Sequence, residues 1–184
     1  MKTDQPTITD KIFEIIAEGI RVTGILLERK SLATTLYRVN SGYKPWQINR
    51  ALKRMEKSGY FEGDAKKLRI SEKGLSYIQQ QEINAIAYEA DTKPWDGKWR
   101  IVIFDVPEDH REIRDTIRAT IKEWKFKKLQ RSVFVTPHRC EAYIVQLCDI
   151  LKAHPFVHLI VAESIGTLES VLRREYKLKL HRVP

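Results

Sequence analysis

Hydrophobic positions change period along this chain, and the change divides it. Over residues 98–108, Trp99, Ile101 and Ile103 fall on one side of an extended chain, and Val102 and Phe104 on the other. A strand apolar on both faces has no solvent side, which predicts a place in the middle of a sheet. Asp105-Val106-Pro107 ends it, because Pro107 cannot donate to a ladder but suits the opening turn of a helix. Beyond it the period turns helical. Glu108, Asp109 and Glu112 place acid in an opening turn, and Ile113, Ile117, Ile121 and Trp124 form one apolar stripe. Short strands follow at Lys127–Gln130 and Ser132–Thr136, then a helix over Cys140–Ala153, a strand over Phe156–Ala162 and a last helix from about Thr167 to Tyr176. The order strand–helix–strand–strand–helix–strand predicts a ferredoxin-like (βαββαβ) fold, whose two helices cover one sheet face only. Residues 1–90 or a second copy of the chain would have to cover the other, and a symmetric dimer is the commoner solution.

The first ninety residues are mostly helical in period. Thr9 is placed to cap a helix with Ile12, Ile15 and Ile16 on one face and Gly19 near its end. An apolar cluster at Ile25–Leu27 and a short helical face of Leu32, Leu36 and Val39 come next. The clearest helix starts at Pro45, buries Ile48, Ala51, Leu52 and Met55, and stops at Ser58-Gly59. Tyr60-Phe61, a polar turn over residues 62–67 and Leu68-Arg69-Ile70 predict a hairpin, after which Ser71 and Glu72 open a helix over Leu75–Tyr88. Three helices and a hairpin make the pattern of a winged helix-turn-helix. The expected class is therefore α+β, with a winged helix-turn-helix at 1–90, a linker at 91–97 and a ferredoxin-like domain at 98–178. Pro94-Trp95-Asp96-Gly97 reads as a tight turn, and Trp95 and Trp99 flanking it are expected to fix how one domain sits on the other.

Charge then gives the first domain a direction. The 184 residues carry a net +9, with 42% apolar and 9% aromatic residues, enough for ordinary cores. Residues 44–73 hold nine basic and four acidic side chains, so the positive charge of the first half gathers there. On the Pro45 helix the side away from the core holds Trp46, Arg50, Lys53, Arg54 and Lys57, and the hairpin adds Lys66, Lys67 and Arg69. Such a surplus favours a polyanion, and double-stranded DNA is the expected partner. Lys and Arg would neutralise phosphates, while Gln47, Asn49 and Arg50 carry donors and acceptors able to read base edges. Trp46 either presses on a sugar–phosphate strand or packs beneath the wing, and packing is the expectation. Arg111, Arg114, Arg118 and Lys122 form a second basic row in the later domain.

Other chemistry is thin. Cys140 and Cys148, eight apart on a helix, are too distant to pair and are expected to be buried small hydrophobes. His154 and His158 straddle Pro155 and a strand, so no metal-ligand spacing survives. No run approaches the ~20 apolar residues of a membrane span, and no signal pattern opens the chain, so the cytoplasm is expected.

Two motifs carry a family resemblance. Trp95-Asp-Gly-Lys-Trp-Arg-Ile-Val-Ile-Phe-Asp-Val-Pro-Glu and Leu129-Gln-Arg-Ser-Val-Phe-Val-Thr-Pro resemble the middle domain of the PaaX group, the phenylacetate-operon repressors. That domain is itself similar to the CRISPR adaptation endonuclease subunit of the Cas-two type. The resemblance covers about residues 40–176 and implies a repressor that dimerises through its ferredoxin-like half. Full-length repressors have a further C-terminal domain associated with an acyl-coenzyme A response; the chain as given stops at Pro184, so the resemblance does not carry that response over and leaves the effector open. DNA binding of this kind requires no cofactor. The alternative is a CRISPR adaptation subunit, a DNA scaffold with a CRISPR integrase as partner. In Cas-two nucleases an aspartate ending the first strand binds a divalent metal with its counterpart from the second subunit, and Asp105 matches that position, with Mg²⁺ as the implied ion. Arg131 and Ser132 also fall at family-like positions but form no nucleophile–base pair.

Overall fold

The computed structural model describes residues 7–23, 26–28, 42–63, 67–88 and 94–178. The helical face expected at Leu32–Val39, Lys66 at the hairpin tip and residues 91–93 of the linker lie outside them. The chain divides into two units between Gln81 and Glu82.

In the first unit, α1 (Ile8–Thr23) is followed by β1 (Leu26–Glu28), α2 (Pro45–Lys57), β2 (Phe61–Gly63), β3 (Lys67–Ile70) and most of α3 (Glu72–Asn84), whose last three residues fall past the division. Thr7, not Thr9, starts α1: its N–H donates to Asp10 Oδ2 at 2.8 Å, and its Oγ1 accepts from the Asp10 N–H. The side chain two positions earlier wins because it stands outside the first turn, where the free amides point. β2 and β3 form the expected hairpin, pairing Phe61 with Ile70. β1 adds a third strand on the far side of β3, in the order β1-β3-β2. The core joins Ile12, Phe13 and Ile16 of α1 to Ile48, Leu52 and Met55 of α2 and to Phe61, Ile70 and Ile78. Phe13 lies among Tyr60, Phe61 and Tyr77 with ring centroids 4.4–6.1 Å away.

α3 leans closely on the hairpin. Ser71 Oγ donates to the Gly59 carbonyl at 2.6 Å and accepts the Gly74 N–H, capping the helix. At Gly74 a Cβ would collide with the Tyr60 carbonyl oxygen and the Ile70 side chain, so only glycine permits this approach.

In the second unit a four-stranded antiparallel sheet has the order β5-β6-β4-β7, with β4 (Trp99–Phe104) inside it as its two-faced pattern requires. β5 is Lys127–Gln130, β6 Val133–Thr136 and β7 Val157–Ala162. α4 (Arg111–Glu123) and α5 (Glu141–Leu151) supply Ile117, Ile121, Ile144 and Leu147 to the core that holds Val102, Phe104 and Phe134. Cys140 and Cys148 are buried and unpaired, and burial pushes their thiols up to about 12 and about 11. The opposite face, expected to lie bare within one chain, is covered at one end by α6 (Glu169–Glu175), where Leu172 and Tyr176 meet Trp99 and Val135. Tyr176 fastens that helix: its hydroxyl donates to the Val135 carbonyl at 2.8 Å and accepts the Lys127 N–H at 2.9 Å.

One further detail departs from the sequence reading. The helical pattern read through to Tyr88 ends at Asn84, and Ile83, Ile86 and Tyr88 belong to the second core, Tyr88 stacking on Trp124 at 4.9 Å. Trp95 and Trp99 pack on each other at 5.1 Å within the second unit.

The turn before β4 is tied down by a buried cation. Arg100, 3% exposed, donates from Nη1 and Nη2 to Asp96 at 2.7 and 2.6 Å and from Nε to Glu141 at 3.0 Å. Hydrogen bonding from Arg100 outweighs partial burial and holds the Asp96 carboxyl down at about 2. Asp96 also lies 3.4 Å from Arg139.

Candidate nucleic-acid interface

α2 is built so that one side must face inward and the other is left to solvent. Pro45 sets the first turn with Lys44 extended before it, and Ile48, Ala51, Leu52 and Met55 are buried. The outward side carries Trp46, Asn49, Arg50, Lys53, Arg54 and Lys57, all exposed. Among the described residues none of these four cations is held in an ion pair. Lys73 closes the far end, its Nζ donating to the Ser58 carbonyl at 2.8 Å and lying 4.9 Å from the Tyr60 ring. Part of the positive surplus of residues 44–73 is therefore a helix cap.

Two candidate readers are placed differently from the sequence expectation. Trp46 is 60% exposed, so it does not pack beneath the hairpin. It sits in the first turn of α2, where the inner stripe has not begun. Gln47 is partly buried, and its Oε1 accepts the Lys44 N–H at 2.8 Å, which turns its amide back to the helix start. The three-residue spacing of a capping box was the available signal. On the hairpin, Arg69 is exposed and stands opposite Glu62 in the ladder, while Lys67 is opposite Glu28 of β1.

The second basic row has a different electrostatic character. Arg114 lies 2.8 Å from Glu108, and Asp115 receives Arg111 at 3.4 Å and Arg118 at 2.8 Å. Arg114 beside it holds the Glu108 carboxyl below its usual range. Lys122 is exposed. Two carboxylates thus neutralise three of the four cations within the chain, whereas among the described residues the α2 row has no ion pair.

Asp105 is exposed at the end of β4, where its N–H donates to the Phe156 carbonyl at 2.9 Å. Arg131 and Ser132 form the turn between β5 and β6, and the Ser132 carbonyl accepts the Phe104 N–H at 3.1 Å. Among the described residues no group of three or more His, Cys, Asp or Glu side chains gathers to hold a metal ion. Among the described residues no helix is long and apolar enough to cross a membrane.

Residues 92–171 match the family model described as the PaaX protein central Cas2-like domain. No curated protein matches the chain. Among solved structures, the uncharacterized protein Rv0674 from Mycobacterium tuberculosis is similar at 21% identity, over 72% of this chain and 53% of that one, with a TM-score of 0.32. The chain spans about half the length of that protein.

Proposed function

We propose, from the match of residues 92–171 to the PaaX central Cas2-like domain, that the chain is a PaaX-like regulator: dimeric, sequence-specific in binding DNA, and acting as a repressor. The observation that carries the reading is the outward side of α2, where Arg50, Lys53, Arg54 and Lys57 form a row without an ion pair among the described residues, on a helix whose other side is locked into a core. The run α1, β1, α2 and the β2–β3 hairpin supports a winged helix-turn-helix, with α2 entering the major groove and the hairpin touching backbone. The strand order β5-β6-β4-β7 supports a ferredoxin-like second domain.

The test is selection of bound duplexes from a random pool, followed by a salt titration on the recovered site. A specific palindrome is expected, with half-sites about 34 Å or a multiple apart. Log affinity should fall with log salt at about −0.9 per phosphate contacted. A flat salt response, or recovery of no preferred site, would defeat the reading.

The dimer would form on the part of the second sheet that α6 leaves open. Ile101, Ile103, Val133 and Ile160 share that face by strand register, and Ile160 is 46% exposed on the edge strand β7. Burying this apolar group against its symmetry mate would remove it from water. Ile160→Asp is expected to convert the dimer to a monomer in sedimentation equilibrium, leaving helix content unchanged. An unaltered mass would move the interface elsewhere.

A further inference from the structure

We propose that Trp46 makes the recognition helix specific for thymine, its indole packing on the base's 5-methyl group in the major groove. This rests on the reading of α2 as the DNA-reading helix.

The argument starts from position. Trp46 lies in the first turn of α2, and the N-terminal residues of a recognition helix are those that reach base edges. Asn49 and Arg50, three and four residues on, follow it along the same outward side, so the indole belongs to the polar row and not to the core. Gln47, its neighbour, has Oε1 committed to the Lys44 N–H. An amide held in that way cannot present both its oxygen and its nitrogen to adenine, so the leading turn is left with an apolar reader. At 60% exposure Trp46 is the most exposed of the large apolar side chains among the described residues, and Arg50, Lys53, Arg54 and Lys57 continue along the same outward side of the helix, where they would hold the duplex.

The groove offers an indole little to match. Phosphates and most base edges present charge or hydrogen-bonding groups; the apolar feature of the major-groove floor is the thymine methyl. Contact there buries apolar surface on both partners, and it distinguishes T from C, which has no methyl on C5 and carries an amino donor on C4 where thymine has a carbonyl oxygen.

The experiment uses the full chain and the duplex it selects. Each thymine of that site is replaced in turn by uracil, which removes only the methyl. One position per half-site is expected to weaken the wild-type protein about fourfold, the value of one buried methyl-sized group. Trp46→Ala should bind the thymine site on the order of tenfold more weakly, as loss of a tryptophan anchor does, and should not distinguish thymine from uracil at that position. If no uracil substitution weakens the wild-type protein, or if Trp46→Ala still discriminates, the proposal is overturned while the DNA-reading helix stands. If the wild-type protein selects no duplex, the helix assignment and the proposal fall together. The uracil series needs no variant, so a folding defect cannot mimic its result.

Discussion

Reversing Lys53 and Lys57 to glutamate together is expected to weaken duplex binding at physiological salt by about 10²–10³-fold. Both side chains are exposed on α2 and neither is in an ion pair among the described residues, so the change breaks no ion pair among them. What changes is the complex: two charge-assisted contacts to phosphate disappear, and two like charges take their place. The salt slope should become shallower by about 1.8 or more, the share of two phosphates. Lys122→Glu on α4 is the matched comparison, an exposed lysine reversed on the row where Glu108 and Asp115 already answer the arginines. It should change affinity by less than about threefold, the effect of a peripheral charge. Titration of labelled duplex by anisotropy measures both. Were Lys122→Glu the damaging change and the α2 pair silent, the DNA would lie along α4, as the scaffold alternative requires.

The largest stability effect is expected at Asp96. Asp96→Ala should cost about 3 kcal/mol at neutral pH, because it strips two of the hydrogen bonds of a guanidinium that has almost no access to water. Glu141 would keep the Nε bond and the Lys98 and Pro137 carbonyls those from Nη1, but Nη2 would lose its carboxylate. Arg139→Ala, which removes an exposed cation from the same carboxylate, should cost less than about 1 kcal/mol. The pH dependence gives a second signature. The folded Asp96 carboxyl titrates at about 2, below its ordinary 3.8. Its contribution is thus fully present above about pH 4 and is lost as pH falls through about 2. The gap between wild type and Asp96→Ala should therefore narrow across that interval. Urea unfolding of the second unit's transition at a series of pH values measures it; a gap constant with pH would mean that Asp96 acts by shape and not by charge.

Much of the architecture was legible because period-two and helical stripes are direct consequences of burial. The two apolar faces of β4 put it between two other strands, and the inner stripe of α2 is the one that packs. Legibility fails where a side chain has two uses of similar value. Gln47 has the right chemistry for a base edge, yet capping a free amide satisfies it first. Arg111, Arg114 and Arg118 looked like a charged surface, although Asp115 stands four residues from the first and three from the last, a spacing that foretells pairing. Trp46 could not be assigned to core or surface by type, since tryptophan is at home in either. Arg100 was hidden by its setting: a lone charge on the Val102 side of a central strand gives no hint that Asp96 and Glu141 await it. β1 was seen as an apolar cluster without a shape, because three residues are too few to show a period.

Ile83, Ile86 and Tyr88 have a practical bearing on how the molecule can be dissected. The family likeness begins at residue 92, and a fragment trimmed there would lack three side chains of its own interior. Trp124 would lose its stacking partner, and Tyr143 the ring 5.1 Å from it, leaving aromatic surface open to solvent and prone to self-association. A piece begun at Glu82 keeps that wall. The stretch recognisable across relatives is shorter than the stretch that packs as one body.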